Sequence, residues 1–157
     1  MDGNSAGNSS VTQQGTSVAE PQDTKRLKVL ITEDDFASRR ALQVFLSPHG
    51  DCVIAVNGFE TVETFKEALE AGEPYDLICL DILMPEMNGH EALKAIRQAE
   101  RDNGVDVSNL VKVIMTTSKD SAEDIAEAFG SGCDAYVIKP LSKNKLYSEL
   151  RKLTLIK

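Results

Sequence analysis

YDLICLD (75–81) contains no alternation: Leu77, Ile78, Cys79 and Leu80 follow one another without a polar break and run into Asp81. A strand of that kind is buried on both faces, as happens inside a parallel sheet with helices packed above and below it. VKVIMT (111–116) reads in the same way. Outward from this pair, LKVLIT (27–32), DCVIAV (51–56) and DAYVI (134–138) complete five strand candidates, each followed by a segment of helical period. Strand and helix in regular alternation are the pattern of an α/β fold with a parallel sheet. Five such cycles are too few for a closed eight-stranded barrel, so the expectation is an open (βα)5 fold, a doubly wound parallel five-stranded sheet. Right-handed crossovers then set every strand-to-helix junction along one edge, which is where ligands bind in such sheets.

The helices follow from spacing and stop signals. Asp35 caps the first, which runs to about Leu46 before Pro48 and Gly50 end it. Phe59, Val62, Phe65 and Leu69 form the inward stripe of the second, and Leu93 and Ile96 mark the third. Ala122, Ile125, Ala126 and Phe129 are assigned to the buried side of the fourth, and Leu146, Leu150 and Leu153 to that of the fifth.

Composition narrows the function classes. The 157 residues are 41% hydrophobic and 27% charged, as expected for one globular domain. With 17 basic and 25 acidic residues the net charge is −8, which argues against direct binding of nucleic acid or anionic lipid by the chain as a whole. No apolar run approaches the ~20 residues that span a bilayer, and MDGNSAGNSS has neither the basic start nor the apolar centre of a signal peptide, so a cytoplasmic protein without membrane insertion is expected. Cys52, Cys79 and Cys133 lack any metal-ligand or CxxC spacing and are read as reduced packing residues. Gly, Ser, Asn, Thr and Gln supply 15 of residues 1–24, too little apolar surface to offset the entropy of ordering, so 1–26 is expected to be a disordered tail.

Reading only the C-terminal ends of the strands gives Glu33-Asp34-Asp35 after the first, Asp81 after the third, Thr116-Thr117-Ser118 after the fourth and Lys139-Pro140 after the fifth. In the flavodoxin-like order 2-1-3-4-5 the first and third strands are neighbours, and Glu33, Asp34 and Asp81 converge. Carboxylates brought close together need a compensating charge. Oxygen donors without His or Cys favour Mg²⁺, and a lysine and a threonine at the same rim suit the oxygens of a phosphoryl group. An aspartate in that setting can accept the phosphoryl as an acyl phosphate. Pro85 and Gly89 shape a loop whose backbone can approach the metal, and the Lys139-Pro140 bond is expected to be cis.

The strings VLITEDD (29–35), LICLDILMPEMNG (77–89), VIMTTS (113–118) and AYVIKP (135–140) together make the chain, from about Leu27 to Leu153, resemble the receiver domain of two-component response regulators, the family of the chemotaxis response regulator. The strand order above rests in part on that resemblance. It implies a receiver domain over 27–157 with Asp81 as phosphoacceptor, Thr117 and Lys139 as its catalytic companions, and Thr117 and Tyr136 as switch residues. It further implies a Mg²⁺ held by Glu33 through water, by Asp34 and Asp81 directly, and by the backbone carbonyl of Leu83. Asp35 remains the helix cap, and the spacing from Asp34 to Arg39 agrees with this register. Phosphorylation would draw the Thr117 hydroxyl towards the phosphoryl group, free space for Tyr136 to turn, and bias the surface of helix four, strand five and helix five.

Ser118 stands where the family most often has Ala, and the span from Gly89 to Thr117 is longer than usual, which implies an extended third helix or the loop RDNGVDVSN (101–109). Leu83 and Lys119 match positions that tune hydrolysis of the acyl phosphate, and an apolar Leu83 cannot orient water, so slow dephosphorylation is implied. His49 and His90 are read as ordinary histidines.

The function expected is a stand-alone receiver that catalyses its own phosphorylation and is no enzyme towards other substrates. It accepts phosphoryl from a histidine kinase or histidine phosphotransfer protein and engages a downstream protein effector. Two alternatives stand beside it. One is a receiver-like interaction module that is never phosphorylated. The other is an aspartyl-phosphate hydrolase of the haloacid dehalogenase type, whose DxDxT-like motif is missing because Ile82 and Leu83 follow Asp81.

Overall fold

In the computed structural model, which describes residues 25–157, all five residues of Leu77–Asp81 are buried. This is the centre of a five-stranded parallel sheet. In chain order the elements are β1 (Leu27–Thr32), α1 (Phe36–Leu46), β2 (Gly50–Ala55), α2 (Gly58–Glu70), β3 (Leu77–Asp81), α3 (Gly89–Asp102), a 3₁₀ turn (Val107–Asn109), β4 (Lys112–Thr117), α4 (Ala122–Gly130), β5 (Ala135–Ile138) and α5 (Lys143–Lys152). The sheet order is β2-β1-β3-β4-β5, the doubly wound order 2-1-3-4-5 expected from the sequence. The long span after Gly89 is filled both ways: α3 has 14 residues, and the 3₁₀ turn sits within the loop that follows it.

The runs without alternation are explained by two apolar cores, one on each face of the sheet. On one face Leu30, Ile78, Leu80, Val113 and Met115 meet Val62 and Phe65 of α2, Leu93 and Ile96 of α3, and Ala128 of α4. On the other, Val29, Ile31, Leu77, Cys79 and Ile114 meet Leu42 and Leu46 of α1 and Leu146 and Leu150 of α5. Burial of this apolar surface is the dominant favourable term in folding. Cys79 and Cys133 are buried and Cys52 is half-buried, all three as free thiols.

Local chemistry sets the helix ends. Asp35, Asn57, Asn88, Ser121 and Ser142 each accept a backbone N–H of the first turn, satisfying a donor that the helix itself cannot. At α3 the arrangement is reciprocal, since Glu91 returns a carboxylate oxygen to the Asn88 amide.

Two helix stripes differ from expectation. Phe59 is 53% exposed because the buried line of α2 is centred on Gly58, Thr61, Val62 and Phe65 and leaves Phe59 at its rim. In α4 only Ala128 is buried; Ile125 is half-buried, and Ala122, Ala126 and Phe129 are exposed. Residues 122, 125, 126 and 129 do share a helical side, but spacing alone does not say which side of a short helix meets the sheet.

Residues 1–24 of the expected tail lie outside the described residues. Arg26 donates to the carbonyls of Ser47 and Gly50 at 3.0 Å each, and Lys25 lies 3.4 Å from Asp76. Among the described residues no helix is long and apolar enough to cross a membrane.

Candidate functional site

Parallel register holds the strand ends level. Thr32 pairs with Leu80, Asp81 with Thr116, and Thr117 with Ile138, so Glu33, Asp34, Asp81, Thr117 and Lys139 all emerge at one edge of the sheet. The expected convergence is present: Glu33, Asp34 and Asp81 each offer a carboxylate oxygen, and the three atoms lie within 4.8 Å of one another. Glu33 is wholly buried and Asp81 is 3% exposed, whereas Asp34 stands in solvent at the rim.

Buried like charges at this range require a counterion or a proton. Lys139 supplies part of the compensation, its Nζ 2.8 Å from Glu33 Oε1 and 3.6 Å from Asp81 Oδ2. The Leu83 amide adds a donor to Asp81 Oδ1 at 3.3 Å. These do not suffice: burial first, then the charge of Glu33 and a hydrogen bond shared with it, push the Asp81 carboxyl up to about 7. Burial works against the Lys139 ammonium, yet its hydrogen bond to Glu33 and the neighbouring carboxylates outweigh it and raise the lysine above its ordinary value. The site thus holds more negative charge than its own residues neutralise.

The remaining expected residues are placed as follows. Asp35 is the α1 cap, and the Ser38 hydroxyl and amide hold its carboxyl below the usual range. Leu83 turns its side chain to solvent, 50% exposed, while its amide faces Asp81. Thr117 is buried, its hydroxyl accepting the Lys119 N–H at 3.2 Å, and the half-buried Tyr136 donates its hydroxyl to the Lys119 carbonyl at 2.8 Å. The two residues therefore grip the same peptide segment at the start of the β4–α4 loop, one from each side of Lys119. Lys139-Pro140 is cis, as expected. Gly89 lies so close to β3 that an added Cβ would come within 2.5 Å of the Asp81 carbonyl, which ties the Pro85–Gly89 loop to the strand end.

Two residues in contact with Glu33 were not singled out from the sequence. The Thr116 hydroxyl donates to Glu33 Oε2 at 3.2 Å, and Arg39, noted only for its spacing, donates to the Glu33 carbonyl at 3.1 Å. Thr116 was counted among three hydroxyls at a strand end, but the signal that separates it from Thr117 is its register opposite Asp81, which a single sequence does not supply. Beside the site, Leu83, Met84, Asn88, His90, Lys119 and Glu127 line a groove of about 590 Å³ between the β3–α3 loop and α4. His90 is buried there with Nε2 3.6 Å from Glu127.

Comparison with known proteins bears on what this edge is. A hybrid signal transduction histidine kinase I from Dictyostelium discoideum is 32% identical over 121 residues, 76% of this chain but 7% of the kinase. The chain spans only about half the length even of shorter curated relatives, such as the transcriptional regulatory proteins YcbL of Bacillus subtilis and CiaR of Streptococcus pneumoniae. The receiver domain of the Saccharomyces cerevisiae response regulator Ssk1, solved with the histidine phosphotransfer signaling protein Ypd1, is 32% identical with a TM-score of 0.71, covering 81% of this chain and 88% of that one. The receiver domain of the Arabidopsis thaliana histidine kinase CKI1, solved with Mg²⁺ and BeF₃⁻, is 29% identical with a TM-score of 0.70, covering 82% and 89%. The family model described as the response regulator receiver domain matches residues 29–151. A five-stranded 2-1-3-4-5 sheet carrying clustered carboxylates and a lysine at its C-terminal edge, together with that match over most of its length, means that the chain belongs to the response regulator receiver domain family.

Proposed function

We propose that this domain is a phosphorylation switch in which Asp81 accepts a phosphoryl group in the presence of Mg²⁺. One observation carries the reading: three carboxylate oxygens within 4.8 Å of one another share a single sheet edge with a lysine 3.6 Å from Asp81. The donor set fits the cation, since it consists of oxygens alone and leaves negative charge unneutralised, with one carboxylate open to solvent. Asp34 and Asp81 would hold the ion directly, Glu33 through water and Leu83 through its backbone carbonyl. Bound there, Mg²⁺ supplies positive charge against the phosphoryl oxygens.

The residues of the chain do the rest. An Asp81 carboxylate oxygen forms a bond to phosphorus as the bond from phosphorus to the donor's imidazole nitrogen breaks, and the imidazole leaves with its electron pair and takes up a proton. Lys139 turns its ammonium to the oxygens of the transferred group, and Thr117 offers its hydroxyl to them. Its oxygen accepts the Lys119 N–H in this state, so a hydroxyl drawn towards the phosphoryl group pulls on the backbone of Lys119, whose carbonyl Tyr136 holds. Displacement of Lys119 loosens the Tyr136 contact, so the acyl phosphate is read out on the surface of α4, β5 and α5.

Donors of histidine kinase or phosphotransfer type are supported by the likeness to the yeast receiver solved with its phosphotransfer protein, and the effector is a protein that binds the switched surface. The test is intact mass after incubation with acetyl phosphate, with and without Mg²⁺, for wild type and Asp81→Asn. The expected result is a phosphoryl-sized gain that needs both the metal and Asp81. No gain in folded protein would make the domain a receiver-like binding module instead.

A further inference from the structure

Glu33 is wholly buried at the end of β1, and its carboxylate has three donors. Oε1 receives Lys139 Nζ at 2.8 Å and the Asp35 N–H at 3.4 Å, and Oε2 receives the Thr116 hydroxyl at 3.2 Å. Thr116 itself is fully buried, pairs in register with Asp81, and reaches Glu33 across β3. A buried strand position such as this accommodates valine without difficulty, and a hydroxyl placed there must find a partner. It has found the acidic group of the site.

The lysine cannot serve both acids equally. Its ammonium lies 0.8 Å closer to Glu33 than to Asp81, the difference between 3.6 and 2.8 Å. When charge builds on a group attached to Asp81, Lys139 must lean towards it and away from Glu33. Without a hydroxyl at position 116, the buried carboxylate would then keep from these donors only the Asp35 N–H at 3.4 Å and be badly undersatisfied. We infer that Thr116 is a positioning residue for the reaction: its hydroxyl holds Glu33 Oε2 in place, so that Glu33 keeps its orientation at the metal site while Lys139 moves to the phosphoryl group. This rests on the phosphoacceptor reading of Asp81 given above.

Thr116→Val removes the hydroxyl and keeps the shape, and Thr116→Ser restores it. Two quantities are read on the 157-residue chain: Mg²⁺ affinity without any phosphodonor, followed by backbone amide shifts in NMR titration, and the initial rate of phosphoryl gain from acetyl phosphate at saturating Mg²⁺, followed by intact mass. The valine variant is expected to bind Mg²⁺ about tenfold more weakly and to gain phosphoryl more slowly, with serine returning affinity to within about twofold of wild type. Thr116→Ala replaces valine in the comparison should valine not fold. Unchanged affinity and rate in a folded valine variant overturn the inference, whatever happens to its urea stability, and so does a serine variant as impaired as valine, since packing would then be the cause. In both cases a phosphorylated wild type leaves the phosphoacceptor reading standing. A wild type that takes up no phosphoryl removes that reading and this inference together.

Discussion

Asp81 and Leu83 are two residues apart, yet the chain treats them oppositely: the first points its carboxylate inward and the second turns its side chain to solvent and meets the site with its backbone. Hydrolysis of an acyl phosphate needs a water aimed at phosphorus, and a positioned polar side chain speeds such a step. The Leu83 side chain is 50% exposed and has no polar atom, so it leaves water at the mouth of the site unoriented. Phosphorylated wild type, freed of phosphodonor and held in Mg²⁺, is therefore expected to lose its phosphoryl group over minutes or longer. Leu83→Asn should shorten that lifetime several-fold. Intact mass followed over time decides it, and loss within seconds from the wild type would show that some other residue orients the water.

At the scale of elements, Arg97 of α3 does more than close a surface ion pair. Its guanidinium donates to the Gly132 carbonyl at 3.1 and 2.8 Å, to the Val111 carbonyl at 2.9 Å, to Asp134 at 3.1 Å and to Glu100 at 2.8 Å. One side chain thus joins α3 to the start of β4 and to the α4–β5 turn, where Gly132 takes φ +105° beneath it. Glu100 is 2% exposed, and its other oxygen accepts the Val111 N–H at 2.7 Å. Arg97→Ala would leave that carboxylate buried without its cation, at a cost of about 3–5 kcal/mol in urea unfolding. A loss below about 1 kcal/mol, the worth of an exposed pair, would mean that the network is not mutually supporting. Only the i, i+3 spacing of Arg97 and Glu100 on one helix is legible in the sequence, because Val111, Gly132 and Asp134 meet Arg97 only once strand order and register are fixed. The strands were legible because unbroken apolar runs between helical segments admit few folds, and Glu33, Asp34, Asp81, Thr117 and Lys139 because strand ends in a parallel sheet share an edge. Phe59 and the α4 stripe were misread because helical spacing gives a side without saying what lies against it. Thr116 was passed over because register decides which of two adjacent hydroxyls faces the acids.

For the whole molecule, the same carboxylates that would bind the cation oppose folding in its absence. Asp81 titrates near 7 in the folded chain and near an ordinary ~3.9 when unfolded, so between these values the folded state binds the extra proton. Stability from this group is therefore fully present below about pH 4 and is lost as the pH rises through about 7. The full shift corresponds to an upper bound on the order of 4 kcal/mol, shared with the coupled Glu33. Asp81→Asn carries no such proton. In divalent-free buffer the variant is expected to match the wild type near pH 4 and to exceed it by about 2–4 kcal/mol at pH 8, measured by urea unfolding across the range. A wild type that gains stability relative to the variant as pH rises would contradict the placement of the charge. Adding Mg²⁺ at pH 8 then separates stability from ligation: an ion that binds only the folded, ionised site raises wild-type stability with its concentration, while the asparagine variant, lacking one of the three carboxylates, responds far less. The excess charge at the strand ends is in this sense held in reserve for the ion and the phosphoryl group, and the cost of holding it is spread over the two apolar cores that the buried strands provide.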